Sequence, residues 1–196
     1  MSPTELPEVT VREALPDEWA ALADLYSDAR RAAVPQMPPA VHTDEEHRDY
    51  YRRHVFAGDG HTAWVAEAAG EILGFALCTP TFLDGLYVRP DLKGQGVGSL
   101  LLDVVDATHP DGYELWVFES NVGARRLYER RGLVEVERTD GSGNEEKAPD
   151  LRMAWRPQGS GRPSSRGRQM TDSGAVCPAY PQVQLVSAQS PRRVAT

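Results

Sequence analysis

The sequence has very little cysteine and no long apolar run. Two of its 196 residues are cysteine, Cys78 and Cys177, which are too few and too isolated for a disulfide framework or a metal site. No stretch approaches the roughly 20 apolar residues of a membrane-spanning helix, and residues 1–11 lack the apolar core of a signal peptide. We therefore expect a protein of the reducing cytoplasm, with neither a membrane nor a metal among its partners.

An excess of positive charge is also missing, because the formal net charge is −8. Residues 157–196 depart from this, with five arginines against one aspartate, and proline, glycine and serine supply 15 of those 40 residues. Such a composition predicts a disordered tail. Scattered arginines without interleaved aromatic residues give no basis for a nucleic-acid partner. The sequence thus predicts one folded domain over residues 1–156 and a disordered tail over residues 157–196.

The periodicity of apolar residues predicts the order β-α-α-β-β-β-α-β-α-β-β for the folded part. Helices are expected to begin near Pro16, Thr43, Val97 and Gly123, where proline, a capping box or a glycine turn precedes an apolar stripe. Strands are expected over residues 8–14, 62–68, 71–78, 82–88, 113–119, 133–138 and 151–155. This order predicts an α/β fold with a mixed sheet.

The most informative stretch joins the strand over residues 82–88 to the third helix. Gly94, Gly96 and Gly98 alternate there, so backbone amides can approach a ligand with no Cβ in the way. The helix that follows begins with unpaired N–H groups and the positive end of its dipole. We therefore predict an anion site of phosphate size over residues 94–99. The core-facing stripe of this helix is predicted to be Val97, Leu100, Leu101, Val104 and Val105.

Residue spacing excludes two common phosphate loops. A dinucleotide fingerprint needs a glycine where Ser99 stands, and a Walker A loop needs a lysine directly after Gly98. The stretch instead resembles the acyl-CoA segment of the GNAT superfamily of N-acetyltransferases, in which a Val-x-Pro strand end leads to [Gln/Arg]-x-x-Gly-x-[Gly/Ala]. Lys93, Gly96 and Gly98 occupy the three defining places. Lys93 departs from the usual glutamine or arginine, mildly, because the family uses this segment through its backbone.

A second segment, residues 121–132, is similar to the GNAT pattern Asn-x-x-Ala-x-x-x-Tyr-x-x-x-Gly. Its matching residues are Asn121, Ala124, Tyr128 and Gly132. In that family the asparagine tends to contact CoA, and the tyrosine hydroxyl lies near the thioester sulfur. Each residue also has a simpler interpretation, Asn121 as a helix N-cap and Tyr128 as a half-buried core side chain. The resemblance covers about residues 8–156.

The resemblance implies a GNAT-like mixed, mostly antiparallel twisted sheet flanked by helices, with the acyl-CoA site at the central strand–turn–helix. It implies an N-acetyltransferase that transfers an acetyl group from acetyl-CoA, its co-substrate, to a primary amine by direct attack in a ternary complex. A non-catalytic acyl-CoA-binding module is the alternative. The resemblance also allows a homodimer. The predicted cofactor-binding residues are Leu86, Tyr87, Val88, Lys93, Gly94, Gln95, Gly96, Val97, Gly98, Ser99, Asn121 and Tyr128.

Acyl transfer to an amine requires an acid for the departing thiolate and an acceptor for the proton of the ammonium group. Tyr128 is the predicted acid, and backbone N–H groups around residues 86–88 are predicted to polarise the carbonyl. Glu119, at the end of its strand, is the predicted proton acceptor. Asp84, His61 and water are the weaker candidates, and a solvated carboxylate is the simpler interpretation of Glu119.

A polar loop over residues 139–150 is longer than a hairpin needs and contains four carboxylates. In GNAT proteins the acceptor amine commonly approaches between the final strand pair and the early helices. We therefore predict that Asn144, Glu145, Glu146 and Asp150 bind a cationic amine, on a small molecule or a peptide. A solvated charged loop is the alternative. The sequence leaves the acceptor open among polyamines, aminoglycoside-like antibiotics, amino acids and protein amines.

Overall fold

The structure is a computed structural model that describes residues 8–56 and 60–157, apart from the side chain of His54. The predicted tail therefore lies outside the described residues, except for Pro157. The helices are α1 (Trp19–Ala32), α2 (Asp44–Tyr50), α3 (Val97–Thr108) and α4 (Val122–Arg130). The strands are β1 (Thr10–Glu13), β2 (Thr62–Ala68), β3 (Glu71–Thr79), β4 (Phe82–Val88), β5 (Tyr113–Phe118), β6 (Val134–Thr139) and β7 (Asp150–Trp155). One π-helical turn, Tyr51–Val55, extends α2, and one 3₁₀ turn, Pro90–Leu92, precedes α3.

The seven strands form one sheet in the order β1-β2-β3-β4-β5-β7-β6. Neighbouring strands are antiparallel except β4 and β5, which are parallel. The predicted mixed, mostly antiparallel sheet is therefore confirmed. Among the described residues the register of β4 and β5 consists of one pair, Phe82 with Glu114. The two strands consequently diverge toward Val88 and Phe118, and we call the opening between them the β4–β5 gap.

Side-chain caps mark the starts of α2 and α4, close to where the sequence predicted these two helices. Thr43 and Glu46 form the predicted capping box of α2, because the Thr43 amide donates to Glu46 Oε2 at 2.8 Å and the Glu46 amide donates to Thr43 Oγ1 at 3.3 Å. At α4 the Ala124 amide donates to Asn121 Oδ1 at 3.2 Å. Such caps each contribute about 1 kcal/mol to helix stability. None of the described helices combines the length and apolar character needed to cross a membrane.

The sheet separates two apolar cores. α3 and α4 pack on one face, where Leu101, Val105 and Tyr128 are buried. α1 and the π-helical turn pack on the other face around Tyr26 and Phe75. β4 contributes side chains to both cores, because alternate side chains of a strand point to opposite faces. Its C-terminal half thus lies between the two layers and borders the β4–β5 gap.

The buried face of α3 differs from the predicted stripe. Leu102 is fully buried, whereas Leu100 is 41% exposed, so the prediction for Leu100 was wrong. The helix is turned so that Gly98 approaches β4 and α4, where a Cβ on Gly98 would lie 3.7 Å from Leu127 Cδ2 and 3.8 Å from Val88 Cγ2. A pattern of large apolar residues gives no weight to a glycine, so this rotation is not visible in the sequence.

Candidate active site

The glycine turn between β4 and α3 presents unpaired backbone donors. Gly94 and Gly96 have φ values of +82° and +92°, and Gly96 is the N-cap residue of α3, with no side chain capping the helix. The amides of Ser99 and Leu100 donate to the carbonyl of Gly96 at 2.9 and 3.1 Å. Four other amides find no acceptor among the described residues, those of Gly94, Gly96, Val97 and Gly98.

These amides suit an anion such as a pyrophosphate. A Cβ on Gly94 or Gly96 would meet no heavy atom within 4 Å, so the turn is open to a ligand, while the left-handed backbone favours glycine. Lys93 and Gln95 are exposed beside it, and Gln95 Nε2 donates to the carbonyl of Asp91 at 3.0 Å. The predicted residues from Lys93 to Ser99 therefore lie together at the positive end of α3.

Leu86, Tyr87 and Val88 border the β4–β5 gap. Leu86 and Val88 pack against the α3–α4 core, and Tyr87 is buried in the opposite core. On the edge of β4 that faces β5, the described register pairs Phe82 with Glu114 and pairs no residue after Phe82. Backbone groups of this half-strand are thus the ones available to a molecule in the gap.

Tyr128 is 4% exposed on α4. Burial raises the pKa of its hydroxyl above the ordinary 10.0, so the phenol keeps its proton at neutral pH, as an acid must. Asn121, partly buried at the start of the same helix, acts as its N-cap, so the simpler interpretation of that residue holds. The cofactor contact of Asn121 and the acid role of Tyr128 remain predictions.

Glu119 follows β5 and is already paired within the chain. Its carboxylate accepts a hydrogen bond from the Arg138 guanidinium, and its side chain is 43% exposed. Arg125 Nη1 donates to its backbone carbonyl at 3.1 Å. The predicted role of Glu119 as proton acceptor therefore competes with an ion pair on the outside of the molecule.

Asp84 offers a different carboxylate on β4, two residues after the Phe82–Glu114 pair. Its neighbours Leu83 and Gly85 pair with consecutive residues of β3, so Asp84 sits in a β-bulge. It is 4% exposed, its Oδ2 has no hydrogen-bond partner in the described part of the chain, and His61 Nε2 lies 3.9 Å from that oxygen. Burial raises the pKa of Asp84 to about 7, where a general base works well near neutral pH.

At the loop between β6 and β7, two of the four residues predicted to bind the substrate, Asn144 and Asp150, are buried. Asn144 Nδ2 donates to the Ala148 carbonyl at 2.7 Å and to Asp150 Oδ2 at 2.9 Å. Asp150 also accepts from the Thr139 hydroxyl. Asn144 and Asp150 are thus placed to hold the loop in shape, and their predicted contact with an amine remains a prediction.

The other two predicted ligands face the early helices. Glu145 Oε2 lies 2.9 Å from His42 Nε2, and Glu146 Oε1 accepts from Arg30 Nη2 at 2.8 Å. Sequence reasoning missed Arg30 because an arginine late in a helix normally lies in solvent. The available signal was its position four residues after Tyr26, on the same face of α1.

Both motifs fall within the match to a family of known proteins. The model described as Acetyltransferase (GNAT) family matches residues 19–133, more than half of the chain. The chain therefore belongs to the GNAT family of acetyltransferases, and by class it is an acyltransferase. This confirms the resemblance inferred from the glycine turn and the segment over residues 121–132. Among the described residues, no three His, Cys, Asp or Glu side chains are arranged to hold a metal ion.

Named relatives agree with this class. An uncharacterised N-acetyltransferase of Archaeoglobus fulgidus is 26% identical over 150 residues, which cover 69% of this chain and 99% of that protein. The peptidyl-lysine N-acetyltransferase YjaB of Salmonella typhimurium is 33% identical over 78 residues, or 39% of this chain. The chain spans less than two thirds of the length of several relatives that it matches, for example 53% of the length of YjaB.

Solved structures share the fold. The protein yncA of Salmonella typhimurium, solved with its cofactor acetyl-CoA, superposes with a TM-score of 0.61 at 17% identity, and the alignment covers 81% of this chain and 99% of that one. This likeness shows that the sheet and its flanking helices have the GNAT arrangement.

Proposed function

We propose that this protein transfers the acetyl group of acetyl-CoA to a primary amine by direct attack in a ternary complex. The observation that carries the proposal is the set of four amides at the start of α3, from Gly94 to Gly98, that find no acceptor in the described part of the chain. Such donors, together with the helix dipole, suit the pyrophosphate of CoA. A relative named as a peptidyl-lysine N-acetyltransferase and a structural neighbour solved with acetyl-CoA support the same chemistry.

Asp84, the backbone of residues 86–88 and Tyr128 have separate roles in the proposed reaction. When bound, acetyl-CoA supplies the thioester whose carbonyl carbon the amine attacks. Asp84 takes a proton from the incoming ammonium group and returns it to solvent. Backbone N–H groups of residues 86–88 polarise the carbonyl. Tyr128 donates its proton to sulfur as the N–C bond forms and the C–S bond breaks, and the proton that nitrogen loses on becoming an amide restores the phenol.

The alternative function is a module that binds acyl-CoA without catalysis. The buried, protonated Tyr128 and the Asp84 oxygen that lacks a hydrogen-bond partner among the described residues favour the enzyme, because a binding module needs neither group. Release of free thiol from acetyl-CoA in the presence of an amine separates the two functions, since a binding module releases none.

Substitution of Gly96 by glutamate tests the cofactor site. We expect Gly96→Glu to abolish acetyl-CoA binding in calorimetry, because the carboxylate occupies the anion site and repels the pyrophosphate. Gly70→Glu is the matched control, since Gly70 also has a positive φ, +80°, and a Cβ placed on it would meet no heavy atom within 4 Å, but Gly70 lies in the β2–β3 turn. Unchanged affinity in a folded Gly96→Glu protein would contradict the proposal.

A further inference from the structure

Nearly all cationic side chains of the described chain donate to an oxygen atom of the protein itself. Each described arginine other than Arg126 and Arg130 donates to a carboxylate or a backbone carbonyl, and Lys147 donates to a carbonyl. Lys93, Arg126 and Arg130 are exposed and have no such acceptor among the described residues. We call these three residues the unpaired cations.

Neither exposure nor a shortage of carboxylates explains the unpaired cations. Arg53 is 64% exposed and still pairs with Asp49. Residues 1–156 carry a formal net charge of −12, the difference between −8 for the whole chain and +4 for residues 157–196. On so acidic a protein, arginines that stay without a carboxylate are available to an anion from outside the chain.

Two of the unpaired cations lie on α4, which runs beside α3. A Cβ on Gly98 would lie 3.7 Å from Leu127 Cδ2. Further along both helices, Arg131 Nη2 donates to Asp103 Oδ1 at 2.6 Å and to Asp106 Oδ2 at 2.7 Å. The two helices therefore run in the same direction, with their N-termini side by side.

All three unpaired cations border the glycine turn. Arg126 and Arg130 are one turn apart on α4 and share a face, and Arg130 is also one turn from Leu127, which packs over Gly98. Helical side chains lean toward the N-terminus of their helix, so both arginines extend toward the end at which the glycine turn lies. Lys93 belongs to that turn. The cations thus surround the four backbone amides that the proposed function assigns to the pyrophosphate.

The ligand proposed for this turn carries negative charge beyond its pyrophosphate. CoA has a further phosphate group, a monoester on C3′ of its ribose, and a phosphate monoester holds about −1.5 to −2 charges near pH 7. A guanidinium group binds phosphate oxygens through two parallel N–H donors. Two arginines one turn apart present two such groups, so their chemistry matches a phosphate monoester.

We propose that Arg126 and Arg130 bind the 3′-phosphate of CoA, with Lys93 at the edge of the same site, and that the protein thereby selects CoA thioesters over thioesters that lack this phosphate. The proposal rests on the proposed acetyl transfer from acetyl-CoA and adds a specificity-determining contact to it. It assigns to α4 a role beyond those predicted for Asn121 and Tyr128.

Acetyl-CoA and acetyl-dephospho-CoA differ only in the 3′-phosphate, so together they test the contact on the unmodified protein. We expect calorimetry at low ionic strength, where exposed charges are screened least, to show about tenfold weaker binding of acetyl-dephospho-CoA. The effect is modest because each exposed charge pair contributes little by itself. Thiol release from acetyl-CoA with a polyamine, an amino acid or a lysine peptide measures acetyl transfer separately.

A double variant, Arg126→Gln combined with Arg130→Gln, localises the contact to α4. It should bind acetyl-CoA about tenfold more weakly than the unmodified protein does, bind acetyl-dephospho-CoA nearly as before, and so lose the preference. Arg52→Gln combined with Arg53→Gln is the matched control. It removes the same charge from two adjacent exposed arginines that pair with Asp49 on the other face of the sheet, and the preference should remain.

The outcomes separate this proposal from the proposed function. Equal affinity of the unmodified protein for the two thioesters would overturn the phosphate contact and leave acetyl transfer standing. A preference that survives in the α4 double variant, or that is lost equally in the control, would overturn the assignment to Arg126 and Arg130. Binding of neither thioester, with no thiol released, would overturn both proposals. The comparison on the unmodified protein decides independently if the double variant does not fold.

Discussion

The Tyr128 hydroxyl is one oxygen atom on a buried ring, so its removal changes little besides its chemistry. We expect Tyr128→Phe to keep its fold and its affinity for acetyl-CoA. Turnover should drop by roughly 10²–10⁴, the usual effect of losing a positioned general acid. KM should change much less, because the lost interaction exists mainly in the transition state. Steady-state kinetics measure the turnover of the variant, and a thermal melt checks its stability. Unchanged turnover would contradict the role of Tyr128 and leave water as the acid.

Two carboxylates compete for the proton of the amine, and the pH profile distinguishes them. With a pKa of about 7, Asp84 is an active base only when ionised, so kcat/KM should fall about tenfold for each pH unit below 7. Asp84→Asn should lower the rate by roughly 10²–10⁴ and remove that inflection. Glu119→Gln should keep both the rate and the profile, because the Glu119 carboxylate is paired with Arg138. The reverse result would assign the role to Glu119.

At the scale of the element, α4 depends on Asn121 in a way that separates capping from cofactor binding. Asn121→Ala removes the acceptor of the Ala124 amide and should lower the free energy of unfolding by about 1 kcal/mol. Asn121→Asp keeps the cap and suits the helix dipole, so stability should be unchanged. If the Asn121 amide also contacts CoA, Asn121→Asp should weaken acetyl-CoA binding despite that stability. Calorimetry and denaturant unfolding of both variants give the two answers, and full affinity in Asn121→Asp would make Asn121 a cap alone.

Elements with local signals were predicted well from the sequence. Thr43 and Glu46 cap α2 through their own spacing, and Gly132 ends α4 with a φ of +86°. Features that depend on the exact register of paired strands, or on a distant part of the chain, were not visible. The bulge that isolates Asp84 depends on the register with β3, and the pairing of Arg30 with Glu146 joins positions 116 residues apart. The candidate site was therefore predictable where it is made of backbone turns and less so where it is made of packed side chains.

At the scale of the whole molecule, two buried groups shift stability with pH in opposite directions. Burial raises the pKa of Asp84 from 3.8 to about 7, so the folded state holds a proton that the unfolded chain releases, and stability falls as pH rises through that window. Burial lowers the pKa of His47 from 6.5 to about 4, so the unfolded chain binds a proton that the folded state excludes, and stability rises with pH. Each effect amounts to at most about 1.4 kcal/mol per pH unit.

Between pH 4 and 6.5 these two contributions should largely cancel in the unmodified protein. Single variants should reveal them: Asp84→Asn should make the free energy of unfolding rise more steeply with pH, and His47→Gln should make it fall. Denaturant unfolding at a series of pH values gives both slopes relative to the unmodified protein, which removes the contribution of surface carboxylates. Parallel slopes in all three proteins would mean that neither group titrates as its burial implies.

The strand order also sets a sequence of events during synthesis. β7 pairs with β5 on one side and with β6 on the other, although among the described strands it is the last to leave the ribosome. Until residues 150–155 emerge, β5 has an open edge, and its aromatic and branched side chains, such as Trp116 and Val117, await burial. An unpaired apolar strand of this kind invites association with other chains. Until β7 has been synthesised, the nascent protein thus has a defined strand, β5, for chaperones to protect. Pairing of β7 between β5 and β6 then completes the sheet.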